Sequence, residues 1–87
     1  MKIEVRKFGD LLISRPAGHE AFLAAKAYVI TAGSEEKIEL DFTGVKVLAP
    51  SWADEFISGL KSEYGPRIVC LPSTNPTVIE SLKFVLP

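Results

Sequence analysis

Thiol chemistry is almost missing from this chain of 87 residues: Cys70 is its one cysteine, so no internal disulfide can form and a reduced, cytoplasmic setting is expected. His19 is likewise the one histidine, which leaves no H-E-x-x-H or comparable ligand spacing, and no metal site is predicted. No apolar run approaches the roughly 20 residues that span a bilayer, so no membrane is expected as a partner. The opening Met1-Lys2-Ile3-Glu4-Val5-Arg6 alternates polar and apolar types, unlike a secretion signal. Ten basic side chains stand against eleven acidic ones, a formal net charge of -1, so no extended positive field exists for a phosphate backbone and nucleic acid is not expected either. A Gly-rich phosphate loop, a nucleophile elbow and an assembled Ser/His/Asp order are also missing, so neither a cofactor nor catalytic residues are predicted.

What is present suits one small globular domain spanning residues 1–87: 47% of the residues are apolar and 24% charged, close to the average for folded chains. Ile3 and Val5 alternate with Lys2, Glu4 and Arg6, the period-two pattern of a strand with one wet face. Gly9-Asp10 then reads as a turn and Leu11 to Ser14 as a returning strand, which predicts an N-terminal hairpin. Pro16 suits the first turn of a helix running to Thr31. Its inner stripe is Ala17, Ala21, Ala24, Ala25 and Tyr28, with Phe22 and Val29 beside them, and Gly33 is its expected C-cap. Ile38, Leu40 and Phe42 alternate with Glu39 and Asp41 in a second clear strand. A second helix starts at Ser51, with Ala53, Phe56, Ile57 and Leu60 at i, i+3, i+4 and i+7. Arg67 to Leu71 reads as a buried strand, and Asn75-Pro76 starts a third helix with Val78, Ile79, Leu82, Val85 and Leu86 inward. The order β-β-α-β-α-β-α predicts an α/β fold: a small four-stranded mixed sheet with helices packed mainly on one face.

The stretch Ile38-Glu-Leu-Asp-Phe-Thr-Gly-Val-Lys-Val-Leu-Ala-Pro-Ser-Trp-Ala-Asp-Glu-Phe56 resembles the STAS domains, the fold of bacterial anti-sigma-factor antagonists. It is most similar to the STAS-like domain family of unknown function, with an I-x-L-D-F-x-G-V strand, a Ser-aromatic-Ala-Asp-Glu helix start, and Arg15 at the place of an arginine before helix one. In the antagonists a phosphorylatable hydroxyl opens the second helix, and that place falls on Ser51. Ala49 stands where those proteins have an acidic residue, Pro50 where they have the first hydroxyl, and Trp52 where they have glycine.

Each candidate also has a plain structural explanation. Ser51-Trp52-Ala53-Asp54 has capping-box spacing, so Ser51 is expected as an N-cap, with a regulated hydroxyl as the alternative. A phosphate there would meet free helix N–H groups but also Asp54 and Glu55 one turn on. Trp52 either closes one end of the core or stands exposed as a partner anchor. Leu23, Ala27 and Ile30 cluster on the outer face of helix one, which points to a homodimer or partner interface rather than scattered surface residues. His19 and Glu20 read as a solvated pair, Cys70 as a small buried hydrophobe, and Glu39 and Asp41 as residues of a wet sheet face.

Taken with the resemblance, these residues imply a non-catalytic signalling module that binds a histidine-kinase-like ATPase or an anti-sigma-type protein. Its expected docking edge comprises Val47, Trp52, Asp54 and Glu55, with regulation at Ser51. The alternative is a homo-oligomeric scaffold built on Leu23, Ala27 and Ile30.

Overall fold

The computed structural model describes residues 1–29 and 35–86. Five strands appear among them: β1 (Lys2–Glu4), β2 (Leu11–Leu12), β3 (Ile38–Asp41), β4 (Val47–Leu48) and β5 (Ile68–Cys70). Helix α1 (Arg15–Ala24) continues as a π turn over Ala25–Val29. The second helix is α2 (Pro50–Ala53), a π turn over Asp54–Ser58, and α3 (Gly59–Tyr64) in unbroken succession; α4 (Pro76–Val85) ends the fold.

The sheet differs from the expected four-stranded mixed one. There are two sheets, β1-β3-β5 and β2-β4, and every pairing is parallel. The predicted N-terminal hairpin is absent, because β1 pairs with β3 and β2 with β4. Instead of reversing at Gly9-Asp10, the chain makes a 3-10 turn over Val5–Phe8, closed by the Gly9 N–H on the Arg6 carbonyl at 2.9 Å. The Asp10 carbonyl then accepts from the N–H groups of Lys46 (2.8 Å) and Val47 (3.1 Å). Burial decides the competition: the β2-β4 register sets Leu12 beside Leu48, and both side chains are buried.

Parallel strands need long crossovers, and here helices supply them. Ile3, Ile38, Leu40 and Ile68 are buried, while Lys2 and Glu4 are exposed and Glu39 and Asp41 half-buried, so the three-stranded sheet has the expected wet face. The predicted stripe of the second helix is correct throughout, since Ala53, Phe56, Ile57 and Leu60 are fully buried. Helix one is capped by Ser14, whose hydroxyl accepts the Ala17 N–H at 3.2 Å, with Pro16 in the first turn. Ala21 and Ala25 are buried as expected, but Ala17 is exposed and Gly18 takes an inward place. The expected Gly33 C-cap lies outside the described residues, as do the side chains of Tyr28 and Val29.

Gly18 sits where α1 crosses the start of α2. A Cβ built there would lie 2.6 Å from the Trp52 carbonyl oxygen, so only a residue without a side chain permits this approach. One turn later the Phe22 ring covers Gly59 in the same manner, at 2.9 Å from where its Cβ would be.

Asn75 caps α4 as expected, accepting the Thr77 N–H at 2.9 Å. Its amide also donates to the carbonyls of Val45 (2.9 Å) and Lys46 (3.0 Å). Thr77 Oγ1 accepts the Leu48 N–H at 3.1 Å, and the buried Ser81 hydroxyl donates to the Leu48 carbonyl at 2.6 Å. Side chains of α4 thus satisfy the edge of β4 that β2 leaves unpaired. The inward face of α4 is set by Val78 and Ser81, which leaves Ile79, expected inside, 38% exposed.

Gly18→Ala should lower stability by about 1–2 kcal/mol, because overpacking against a rigid backbone oxygen outweighs the roughly 1 kcal/mol gained in helix propensity. Urea unfolding measures this, and an unchanged or raised midpoint would show that α1 can stand further off.

Candidate functional site

The start of α2 gathers most of the residues marked out by sequence. After β4 the chain reaches Ala49, an extended N-cap residue with no side-chain bond, and Pro50 occupies the first turn. Proline fits there because its fixed φ is helical and its missing N–H is one the helix would leave unpaired anyway. The helix therefore begins before Ser51, and the capping role expected for Ser51 is corrected: the Asp54 N–H is directed to the carbonyls of Pro50 and Ser51. Ser51 is half-buried in the first turn, and its hydroxyl bonds to no other described residue.

Trp52 belongs to the core. It is 1% exposed, stacks on Phe56 with ring centroids 4.7 Å apart, and meets Phe8 at 6.5 Å, so it offers no face to a partner and is removed from the docking edge. Its separation of four residues from Phe56 was the available sequence signal, because i and i+4 share a helix face.

Asp54 and Glu55 are held by α1. Arg15 Nη1 donates to Asp54 Oδ2 at 2.8 Å and to Glu55 Oε1 at 3.4 Å, and His19 Nδ1 lies 3.7 Å from Glu55 Oε2. Ser58 Oγ donates to the second Asp54 oxygen at 3.1 Å. The hydrogen bond from Arg15, reinforced by that from Ser58, holds the Asp54 carboxyl below its ordinary pKa, and the two acids push the Arg15 guanidinium up. This exposed cluster forms a polar rim whose strength falls with added salt.

Val47 is half-buried and lines an open groove of about 440 Å³ between the starts of α2 and α4. Ala49, Pro50, Pro76, Thr77 and Glu80 form its other walls. This groove was not foreseen, because it needs β4 and α4 side by side, and neither periodicity nor motif spacing reports that.

The remaining candidates lie elsewhere. Leu23, on α1, is 42% exposed and Ala27, in the π turn that continues it, is exposed, whereas Ile30 falls outside the described residues. Asp41 is bound by the Thr43 hydroxyl (2.7 Å) and N–H (3.0 Å), which, with Lys2, depress its pKa and tie it into a turn. Burial pushes the Cys70 thiol pKa up. Among the described residues no group of three or more His, Cys, Asp or Glu side chains is placed to hold a metal ion. No helix of the described residues is long and apolar enough to cross a membrane.

A family model for the STAS-like domain of unknown function (DUF4325) matches residues 25–78, from the end of helix one to the start of α4. The chain belongs to that family. No curated protein and no solved structure matches it. The family match spans β3, β4, α2, α3 and β5, and so includes Ser51, both acids and the groove residues from Val47 to Thr77, whereas Arg15 and His19 precede it and Glu80 follows it.

Since the folded Asp54 has a lower pKa than the unfolded one, its stabilisation is complete above about pH 4 and is lost as pH falls through the folded value. As pH falls below about 4 the native chain should therefore lose thermal stability more steeply than Asp54→Asn at low ionic strength. Parallel curves for the two would mean that the Arg15 pairing does not stabilise the fold.

Proposed function

We propose that this STAS-like domain is a non-catalytic switch module that docks a histidine-kinase-like ATPase or an anti-sigma-type protein through the start of α2. The observation that carries this reading is the groove of about 440 Å³ flanked by Val47 and Pro50, next to the half-buried and unbonded hydroxyl of Ser51. A concave apolar slot beside a polar rim is the arrangement in which a partner's side chain is desolvated while charges around it fix orientation. Here the slot between α2 and α4 would take an apolar anchor, and the Arg15-Asp54-Glu55 cluster, on the α1 side of the same helix, would set the charge an approaching partner meets.

Ser51 precedes Asp54 and Glu55 by three and four residues, the helical spacing of neighbours on one face. A phosphate on its hydroxyl would add a charge of about -1.5 to -2 beside two carboxylates and weaken docking of an acidic partner. The free N–H groups of the first turn would offset only part of that repulsion.

Isothermal titration against a purified histidine-kinase-like ATPase from the same organism tests the reading. Binding should fall at least about tenfold, or 1.4 kcal/mol, in Ser51→Glu and in Val47→Asp, and persist in Ser51→Ala. Equal affinity for all the variants would place the partner elsewhere on the surface.

A further inference from the structure

The N-terminal strand segment β2 is an edge, and it lacks the protection usual for one. Its register with β4 directs the carbonyls of Asp10 and Leu12 toward that strand, where they accept from Val47 N–H at 3.1 Å and Ala49 N–H at 2.8 Å. Backbone groups alternate sides along a strand, so the N–H and C=O groups of Leu11 and Ile13 point away from β4. No described strand stands on that side. The side chains of the same two residues are 57% and 52% exposed, whereas Leu12 between them is buried. Of the two edges of the three-stranded sheet, β1 presents Lys2 and Glu4, charges of the kind that discourage strand addition, and β5 (Ile68–Cys70) has no exposed side chain.

We propose that β2 pairs with β2 of a second copy of this chain, antiparallel and centred on Leu12, giving a twofold-symmetric dimer. The inference stands apart from the docking groove, since none of its residues lines that groove. Self-pairing in this register sets Leu11 opposite Ile13 of the other copy, and Ile13 opposite its Leu11. Both members of each pair then have outward N–H and C=O groups, which is the requirement for a hydrogen-bonded antiparallel pair. Their exposed side chains meet on one face as cross-strand apolar pairs. One residue further out, Asp10 of one copy comes opposite Ser14 of the other, so polar residues flank the apolar pairs at each end of the ladder.

The ladder is also bounded. Gly9, with φ of 133°, ends it on one side, and Pro16, which has no N–H, ends it on the other. A short, self-matching edge yields a closed pair rather than a growing fibre. The small contact predicts a weak dimer, with a dissociation constant on the order of 100 µM.

Sedimentation equilibrium with a thiol reductant, which keeps Cys70 from linking copies, should show monomer passing to dimer as concentration rises. Leu11→Lys with Ile13→Lys should remain monomeric at every concentration while keeping a native amide NMR spectrum. In a mixed-labelled sample of the native chain, isotope-filtered NOEs should connect Leu11 of one copy with Ile13 of the other. If the double variant loses its native spectrum, those NOEs decide alone: their presence supports the pairing and their absence overturns it. Monomer at all concentrations, a dimer that survives the double substitution, or intermolecular NOEs from Leu23 on α1 would each overturn it.

Discussion

The close approach of the α1 backbone to the start of α2 at Gly18 sets the register for every other contact between these helices. With the Trp52 carbonyl against Gly18, Arg15 falls beside Asp54 and Glu55, Phe22 lies over Gly59, and Lys26 reaches Glu63 at 3.1 Å. Residue numbers rise together along both helices, as they must when two crossovers lie on the same face of a parallel sheet. A side chain at Gly18 would tilt α1 and shift all these pairs, not only the one it touches. The polar rim at the start of α2 is therefore a product of helix packing, even though its charges are on the surface.

The second constraint is the polar closure of β4. A strand with only two residues gains little from its own ladder, and β2 satisfies just one of its edges. Asn75, Thr77 and Ser81 act on the other as a substitute strand, each offering the donor or acceptor that the backbone of Val45 to Leu48 needs. Because Asn75 also caps α4, one residue fixes both where that helix begins and where it sits. The groove between α2 and α4 owes its width to this fixed spacing, with Pro50 and Pro76 starting the two helices that border it.

Sequence showed well those elements whose burial repeats with a regular period. Ile38, Leu40 and Phe42, the stripe from Ala53 to Leu60, and the Asn75-Pro76 helix start all lie where periodicity and capping chemistry put them. The two-residue strands β2 and β4 were not legible as partners, since a pattern of period two needs more residues than they possess, and a glycine-aspartate pair looks like a hairpin turn whatever the strands do. Ile79, expected inside, is exposed, and the buried Ser81 had no sequence signal, because a hydroxyl with a backbone acceptor can sit inside, a fact that hydropathy does not carry. At the candidate site, Ser51 was in the right region but in the wrong role, because the helix starts at Pro50, two residues earlier than a Ser51 cap would start it. Asp54 and Glu55 were found as acids, while their arginine partner required the helix crossing to be known.

Parallel pairing throughout has a consequence for how the chain acquires its shape. Lys2 pairs with Glu39, Leu11 with Val47, and Ile38 with Ile68, so no strand can find its neighbour locally. Such high contact order slows folding, because loop-closure entropy is lost before the pairing contacts form. On a ribosome the N-terminal strands emerge first, and they remain without a mate until β3 and β4 have followed. During that interval Leu11, Leu12 and Ile13 form an uncovered apolar run, while the helix after them can already coil. The order of synthesis thus favours a nascent helix α1 that waits for a sheet, with the N-terminal edge among the last pieces to be locked.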